Sequence, residues 1–384
     1  MAFPLVALVL AVFSLGTAES IIAGLLPVLS ADLQVSVPQA GLLVTAYALT
    51  VVFAGPVLTL VTSRVPRKPL LIGLTALFAA GNVLAALAPD YRVLLVARVL
   101  SALTHCTLFA LALIMATSLV PKEQSGSAVA KVLIGVNLAT VLGVPLGVLI
   151  ADRLDWRATF WCVAVLSAVA TLAAVLTVKD VPAGGSAASE LRVLGDRRVQ
   201  AALVVTGLGM AGAFTAFTYL TPLFTEVTGL DANAISLMLV IFGIGSCVGG
   251  WVGGKLADRA LMPATTAVLG VLVLVLLVFA GVASSAWLSG VLVFTFGVVF
   301  FALNPLMGAR IIGLASTGAP TLAIAVSVSS VQIAIAFGGW FGGWVIDAGF
   351  GTRAVVIAGA VVTALGGVLS YRELHKHKKT LVSS

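Results

Sequence analysis

Charge is the scarcest commodity in this chain. Only 9% of its 384 residues are Asp, Glu, Lys or Arg, against about 25% in soluble domains. So few charges cannot keep a folded surface in water, which leaves the integral-membrane class. Cysteine is limited to Cys106, Cys162 and Cys247. All three fall in apolar stretches and no pair has metal-ligand spacing, so they read as small buried hydrophobes, and no metal site is expected. There are three histidines, with no His-Glu-x-x-His and no Gly-x-Ser-x-Gly. No nucleophile–base set is visible and the chain does not read as an enzyme. Gly249-Gly-Trp-Val-Gly-Gly254-Lys255-Leu256 nearly spells a phosphate-binding loop. Leu256 replaces the required Ser or Thr, and no strand precedes it, so ATP-driven work has no support. No cofactor is implied.

What fills the chain is apolar sequence, 61% of it. Runs of roughly 20 residues, enough to span a bilayer, recur about twelve times. They lie near 4–29, 38–62, 70–88, 93–119, 127–150, 158–178, 199–222, 233–253, 264–282, 285–308, 320–343 and 353–371. Period-two alternation is absent and the runs are too long for porin strands, so the expected fold is all-α with twelve transmembrane helices. The first run lacks a basic n-region and a small-residue cleavage site and contains Glu19, so it is expected to stay in the mature protein.

The formal charge of +7 is distributed by side of the membrane. With a cytoplasmic N-terminus, the even-numbered connections and the C-terminal tail hold Arg64, Arg67, Lys68, Lys179, Arg192, Lys255, Arg259, Arg310, Arg372 and further lysines. The opposite side holds only Arg92, Arg153, Arg157 and Arg353, beside six aspartates from Asp32 to Asp347. This is a positive-inside pattern with both termini cytoplasmic, and it argues against nucleic acid as a partner. The longest polar stretch separates a six-helix bundle at 1–179 from another at 199–384, with a cytoplasmic linker over 180–198. The halves echo each other. Ser63-Arg64-Val-Pro66-Arg67-Lys68 follows the second span, and Gly254-Lys-Leu-Ala-Asp258-Arg259 follows the eighth. Such internal repeats suit alternating-access carriers.

Glu19 lies deep inside the first apolar run. A carboxylate at mid-bilayer costs about 3 kcal/mol on insertion scales. A proton, a partner cation or a water-filled cavity would offset that cost, and each points to a path across the membrane. Arg98, Ala102 and His105 are spaced i, i+4, i+7, so they share one face of the fourth span. Glu19, Arg98 and His105 facing one cavity could exchange a proton. The bland alternative is a static Glu19–Arg98 pair holding two helices together, with His105 an ordinary core residue.

Several segments together carry a resemblance. They are Gly16-Thr17-Ala18-Glu19, Ala23-Gly24-Leu25-Leu26-Pro27, Ala40 to Ala48, Arg98 to His105, Gly143-Val-Pro145-Leu-Gly147, Trp156-Arg157-Ala-Thr-Phe160 and the Gly254–Arg259 turn. In this order and spacing the chain resembles the major facilitator superfamily. More specifically it resembles the drug:proton antiporter branch of arabinose-efflux permeases and chloramphenicol exporters. Ser63 and Pro66 depart from the superfamily's loop signature, which has Asp and Gly there. The resemblance implies two pseudo-symmetric six-helix bundles in a bacterial cytoplasmic membrane. It also implies proton handling by Arg98, and an antiporter signature at Gly143, Pro145 and Gly147. With Arg64, Arg67, Gly254, Asp258 and Arg259, these last three are expected to gate.

Tyr47, Asn137, Phe214, Phe217, Tyr219, Asn304, Gln332 and Trp340 are the candidates for lining a mixed apolar and hydrogen-bonding cavity; interhelical glue is the alternative for each. The expected function is proton-driven export of a small neutral or amphipathic compound, a phenicol-like drug ahead of a sugar or nucleoside, by a monomer in the lipid bilayer. Proton-linked uptake is the second reading and a non-transporting sensor a distant third.

Overall fold

Backbone amides and carbonyls find no water in lipid, so an apolar chain of this length must satisfy them internally, as helix. The computed structural model describes residues 3–62, 64–121, 124–179, 197–314 and 320–382. Every regular element among them is helical. The chain divides into two compact units, Met1–Ser186 with Ala232–Val240, and Ala187–Asp231 with Ile241–Ser384. Apart from residues 197 and 198, the expected linker lies outside the described residues, as does Ser63.

The first unit holds α1 (Phe3–Asp32), α2 (Val37–Val61), α3 (Arg67–Ala86), α4 (Tyr91–Ser118), α5 (Ser125–Leu138), α6 (Val144–Arg153) and α7 (Trp156–Thr177). The start of α10 (Ala232–Val282) belongs with it. Helix α1 is buried on most sides and packs on α2, α4, α5, α6 and α7. Its Leu5, Leu8, Val12 and Leu15 join Phe78 of α3, Leu108 and Met115 of α4 and Val163 of α7 in one core. The turn into α2 is built from polar local bonds. Ser36 Oγ accepts from the Gln39 amide at 3.2 Å, and Gln39 Oε1 accepts from the Ser36 amide at 3.1 Å, a reciprocal capping box.

Helices α5 and α6 are one membrane crossing, Ser127–Arg153, joined through a π turn at Ala139–Gly143. Pro145 causes the irregularity. It has no N–H for the Val141 carbonyl, and the Val144 amide reaches back five residues to the Ala139 carbonyl. The helix absorbs the proline as an inserted residue.

The second unit holds α8 (Arg197–Thr218), α9 (Leu220–Leu223), the remainder of α10, α11 (Ala286–Leu314), α12 (Pro320–Asp347) and α13 (Gly351–Val382). The α8–α9 crossing is bent by 48°. Pro222 deprives the Thr218 carbonyl of its donor there. Helix α10 runs for 51 residues, about 77 Å at 1.5 Å per residue, against a hydrocarbon core of about 30 Å. It is interrupted at Ala260, where φ is −157° and ψ is 71°, just before Pro263. Among the described residues ten helices are long and apolar enough to cross a membrane, or eleven with the bent pair counted as one crossing. The two lengths of α10 taken separately bring the total to the twelve expected from hydropathy. Helix α13 continues to Val382, so the basic C-terminal tail begins as helix.

Candidate functional site

Helices α2 and α4 can approach closely because small residues face each other. Ala102 is fully buried against Tyr47 and Val51, and Gly55 lies directly opposite Cys106. This closeness places Tyr47 between Arg98 and His105. The Arg98 guanidinium carbon sits 4.1 Å from the centre of the Tyr47 ring. The Tyr47 hydroxyl is 2.9 Å from His105 Nδ1. His105 also meets the Tyr47 ring edge-on, and its other side stacks on Phe109. Arg98 and Tyr47 are each 1% exposed and His105 6%, so this is a desolvated cluster.

Arg98 ties it to α1. Its Nη1 donates to the Ala18 carbonyl at 2.5 Å and its Nη2 to the Glu19 carbonyl at 3.5 Å. Its Nε, also buried, has no hydrogen-bond partner. A hydrogen bond from a charged donor contributes about 1.5–3 kcal/mol, and a desolvated cation–π contact about 2 kcal/mol. The half-buried Glu19 interacts electrostatically with Tyr47, Arg98 and His105. All four groups therefore form one electrostatic unit on three helices. Tyr47, grouped from the sequence with the cavity-lining residues, packs with the two groups expected to handle protons.

The glycines around Pro145 serve α1. Gly143 faces Thr17, and Gly147 faces Ile21 and Thr159, at distances that leave no room for a side chain. Thr159 Oγ1 donates to the Gly147 carbonyl at 3.0 Å, and Ser236 of α10 donates to the Pro145 carbonyl at 2.8 Å. The π turn thus lies on the turn of α1 just before Glu19. Ser236 gave no signal in the sequence beyond being one of many serines in apolar surroundings.

A second polar cluster went unassigned in the sequence reading. Asp32, at the end of α1, accepts from Trp156 Nε1 at 2.8 Å and from Arg157 Nη1 at 2.9 Å. Arg157 also donates twice to the Ala88 carbonyl, lies over the Trp156 ring at 4.2 Å, and reaches Asp155, which caps α7. This clasp joins the ends of α1, α3 and α7. Its ion pair is part-exposed, which limits its direct contribution; the carbonyl bonds and the stacking carry more. Replacing Arg157 by Ala should therefore cost about 2 kcal/mol. The check is a thermal melt of purified protein, in which Arg157→Lys should recover part of the loss.

In the second unit Phe214 and Phe217 are half-buried. Phe214 meets Phe300 edge-on at 4.9 Å and Phe217 stacks on Phe242 at 5.0 Å. Tyr219 is buried, and its hydroxyl donates to the Gly339 carbonyl at 2.7 Å. Gln332 is buried, Asn304 is exposed, and Trp340 is 51% exposed and packs on Phe337. In the first unit Asn137 is exposed. Of the expected gating charges, Arg64, Asp258 and Arg259 are exposed and Arg67 half-exposed. Lys255 lies over the Trp251 ring at 3.7 Å. Gly254 has open space where a side chain would stand.

Residues 8–322 match the model of the Major Facilitator Superfamily. The chain belongs to this superfamily. As a major facilitator protein it is a multi-pass membrane transporter and not an enzyme. It is 35% identical to the inner membrane transport protein YdhP of Escherichia coli K12, over 99% of this chain and 98% of that one. It is 36% identical to a chloramphenicol resistance protein of Streptomyces lividans, over 88% of each. It is 30% identical to a probable sugar efflux transporter of Mannheimia succiniciproducens, over 94% of this chain and 91% of that one. Among solved structures, a bacterial homolog of the human lysosomal transporter Spinster, inward-facing and unoccupied, aligns with a TM-score of 0.76 over 96% of each chain. At 16% identity that match speaks for the major facilitator fold alone.

Proposed function

We propose that this major facilitator protein is a proton-coupled exporter of a small neutral or amphipathic compound, working by alternating access. The observation that carries the reading is the constellation of the half-buried Glu19 with the buried Arg98, Tyr47 and His105, an acid, a cation, a phenol and an imidazole inside the membrane part of one unit. Ionisable groups so placed are costly and mark proton or substrate pathways. Glu19 is the proton carrier in this reading. Arg98 holds the α1 turn that bears it, and the Gly143–Gly147 stretch with its π turn lets that turn pack against a bent helix. The half-buried aromatic groups Phe214 and Phe217 supply the apolar contacts suited to a lipophilic solute, and the buried Tyr219 supports them through its bond to the Gly339 carbonyl. Arg64, Arg67, Asp258 and Arg259 gate on the cytoplasmic side. The chloramphenicol resistance relative favours a phenicol as first substrate to try, and the sugar efflux relative makes sugars the second.

A thermal-shift screen against phenicols, sugars and nucleosides at two pH values identifies the ligand, since a compound that binds the folded state raises its melting temperature. Proteoliposomes loaded at acid pH and diluted into alkaline buffer then test the coupling, whichever way round the protein inserts. An antiporter accumulates the compound inside, and a protonophore abolishes the accumulation. Accumulation only with acid outside would mean uptake-type symport, and equal flux with either gradient would end the proton-coupled reading.

A further inference from the structure

The mechanism above leaves Tyr47 without a task, although it is among the largest fully buried side chains in the protein. Two contacts meet on its ring. Arg98 lies over the face, and His105 Nδ1 sits at the hydroxyl. The charged and titratable groups acting on His105 among the described residues are Glu19 on α1, Tyr47 on α2 and Arg98 on α4.

We propose that Tyr47 is a positioning residue of the proton pathway. Its hydroxyl donates to His105 Nδ1 and fixes the imidazole as the Nε2–H tautomer, while its ring holds Arg98 over the α1 carbonyls. A neutral imidazole carries one N–H, and the hydrogen bond at one nitrogen decides which. With the phenol as donor, Nδ1 supplies the lone pair and the proton stays on Nε2, the nitrogen not engaged by Tyr47. To take a second proton at Nδ1, His105 needs the hydroxyl to turn from donor to acceptor. The hydroxyl rotor therefore controls whether His105 can accept a proton. The same ring also feels Arg98, so a shift of the guanidinium off the ring face alters the partner that His105 reads. This rests on the proton-coupled reading for its transport consequence, while the tautomer itself does not.

The chain has only three histidines, two of them near its C-terminus, so ¹⁵N-histidine labelling gives three imidazoles, and a His105→Asn sample assigns the buried one. In the unaltered full-length protein the His105 nitrogens should show the Nε2–H pattern. Tyr47→Phe, which keeps the ring and removes only the hydroxyl, should change that to a mixed or Nδ1–H pattern. It should displace the pH profile of gradient-driven transport by about half a unit or more. Tyr47→Leu, which removes both contacts, should lose gradient-driven transport as well. An Nδ1–H tautomer in the unaltered protein, or a Tyr47→Phe spectrum and pH profile superimposable on it, would overturn the proposal. If the unaltered protein shows no gradient-driven transport, the coupling reading fails, and the tautomer measurement still decides the role of Tyr47.

Discussion

Glu19→Gln should reduce accumulation driven by a pH gradient at least a hundredfold while leaving the fold intact. The amide fills the same volume and keeps hydrogen-bonding capacity, but it cannot carry a proton on and off near neutral pH. Glu19 is half-buried on a helix whose neighbouring carbonyls, Ala18 and Glu19 itself, are already engaged by Arg98. The substitution therefore removes the ionisable group and its charge while sparing the two Arg98 hydrogen bonds to main-chain oxygens. Solute binding by thermal shift and exchange across a membrane at equal pH should survive. The informative measurement is the ratio of gradient-driven to exchange flux. A mutant whose ratio equals that of the parent would take Glu19 out of the coupling step.

Gly212→Val should be strongly damaging to folding. A Cβ at Gly212 would collide with the Gly359 carbonyl and with the backbone and hydroxyl of Thr363, so α8 and α13 would have to move apart. The Gly359 carbonyl and the Thr363 amide are backbone, and overpacking against backbone costs about 3 kcal/mol or more. Gly207, one and a half turns away on the same helix, has nothing within 4 Å of the corresponding position. Gly207→Val is the control and should melt near the parent. The readouts are the monodisperse fraction in size-exclusion chromatography and the melting temperature. A Gly212→Val protein as stable as the control would mean that the two helices are not in backbone contact.

Much of this architecture can be read from hydropathy because lipid permits so few alternatives. Runs near 4–29, 70–88 and 158–178 correspond to α1, α3 and α7, each bounded by polar residues or caps such as Asp155. The irregular places were harder. Pro145 announced a disturbance, but a proline can yield a kink, a π turn or a break. Here Pro145 gives a π turn, Pro222 a bend of 48° and Pro263 follows a non-helical residue at Ala260. Hydropathy also separated the two lengths of α10, whereas the backbone runs through the turn between them with one non-helical residue.

For the site, the i, i+4, i+7 spacing was enough to put Arg98 and His105 on one face. It was silent on what lay opposite. Nothing in the apolar text of 38–62 distinguishes Tyr47 as a partner of His105 from Tyr47 as a wall of a cavity. The same holds for Asp32 and Arg157, 125 positions apart in the chain. Their meeting follows from α1 packing along α7 and from no local pattern.

Arg98 reaches α1 through main-chain oxygens, which every amino acid possesses. Exchanging Ala18 for another small residue leaves both acceptors where they are, so the anchor is blind to side-chain identity at the position it holds. The side chains around the acid can then change without first rebuilding the mooring of the guanidinium.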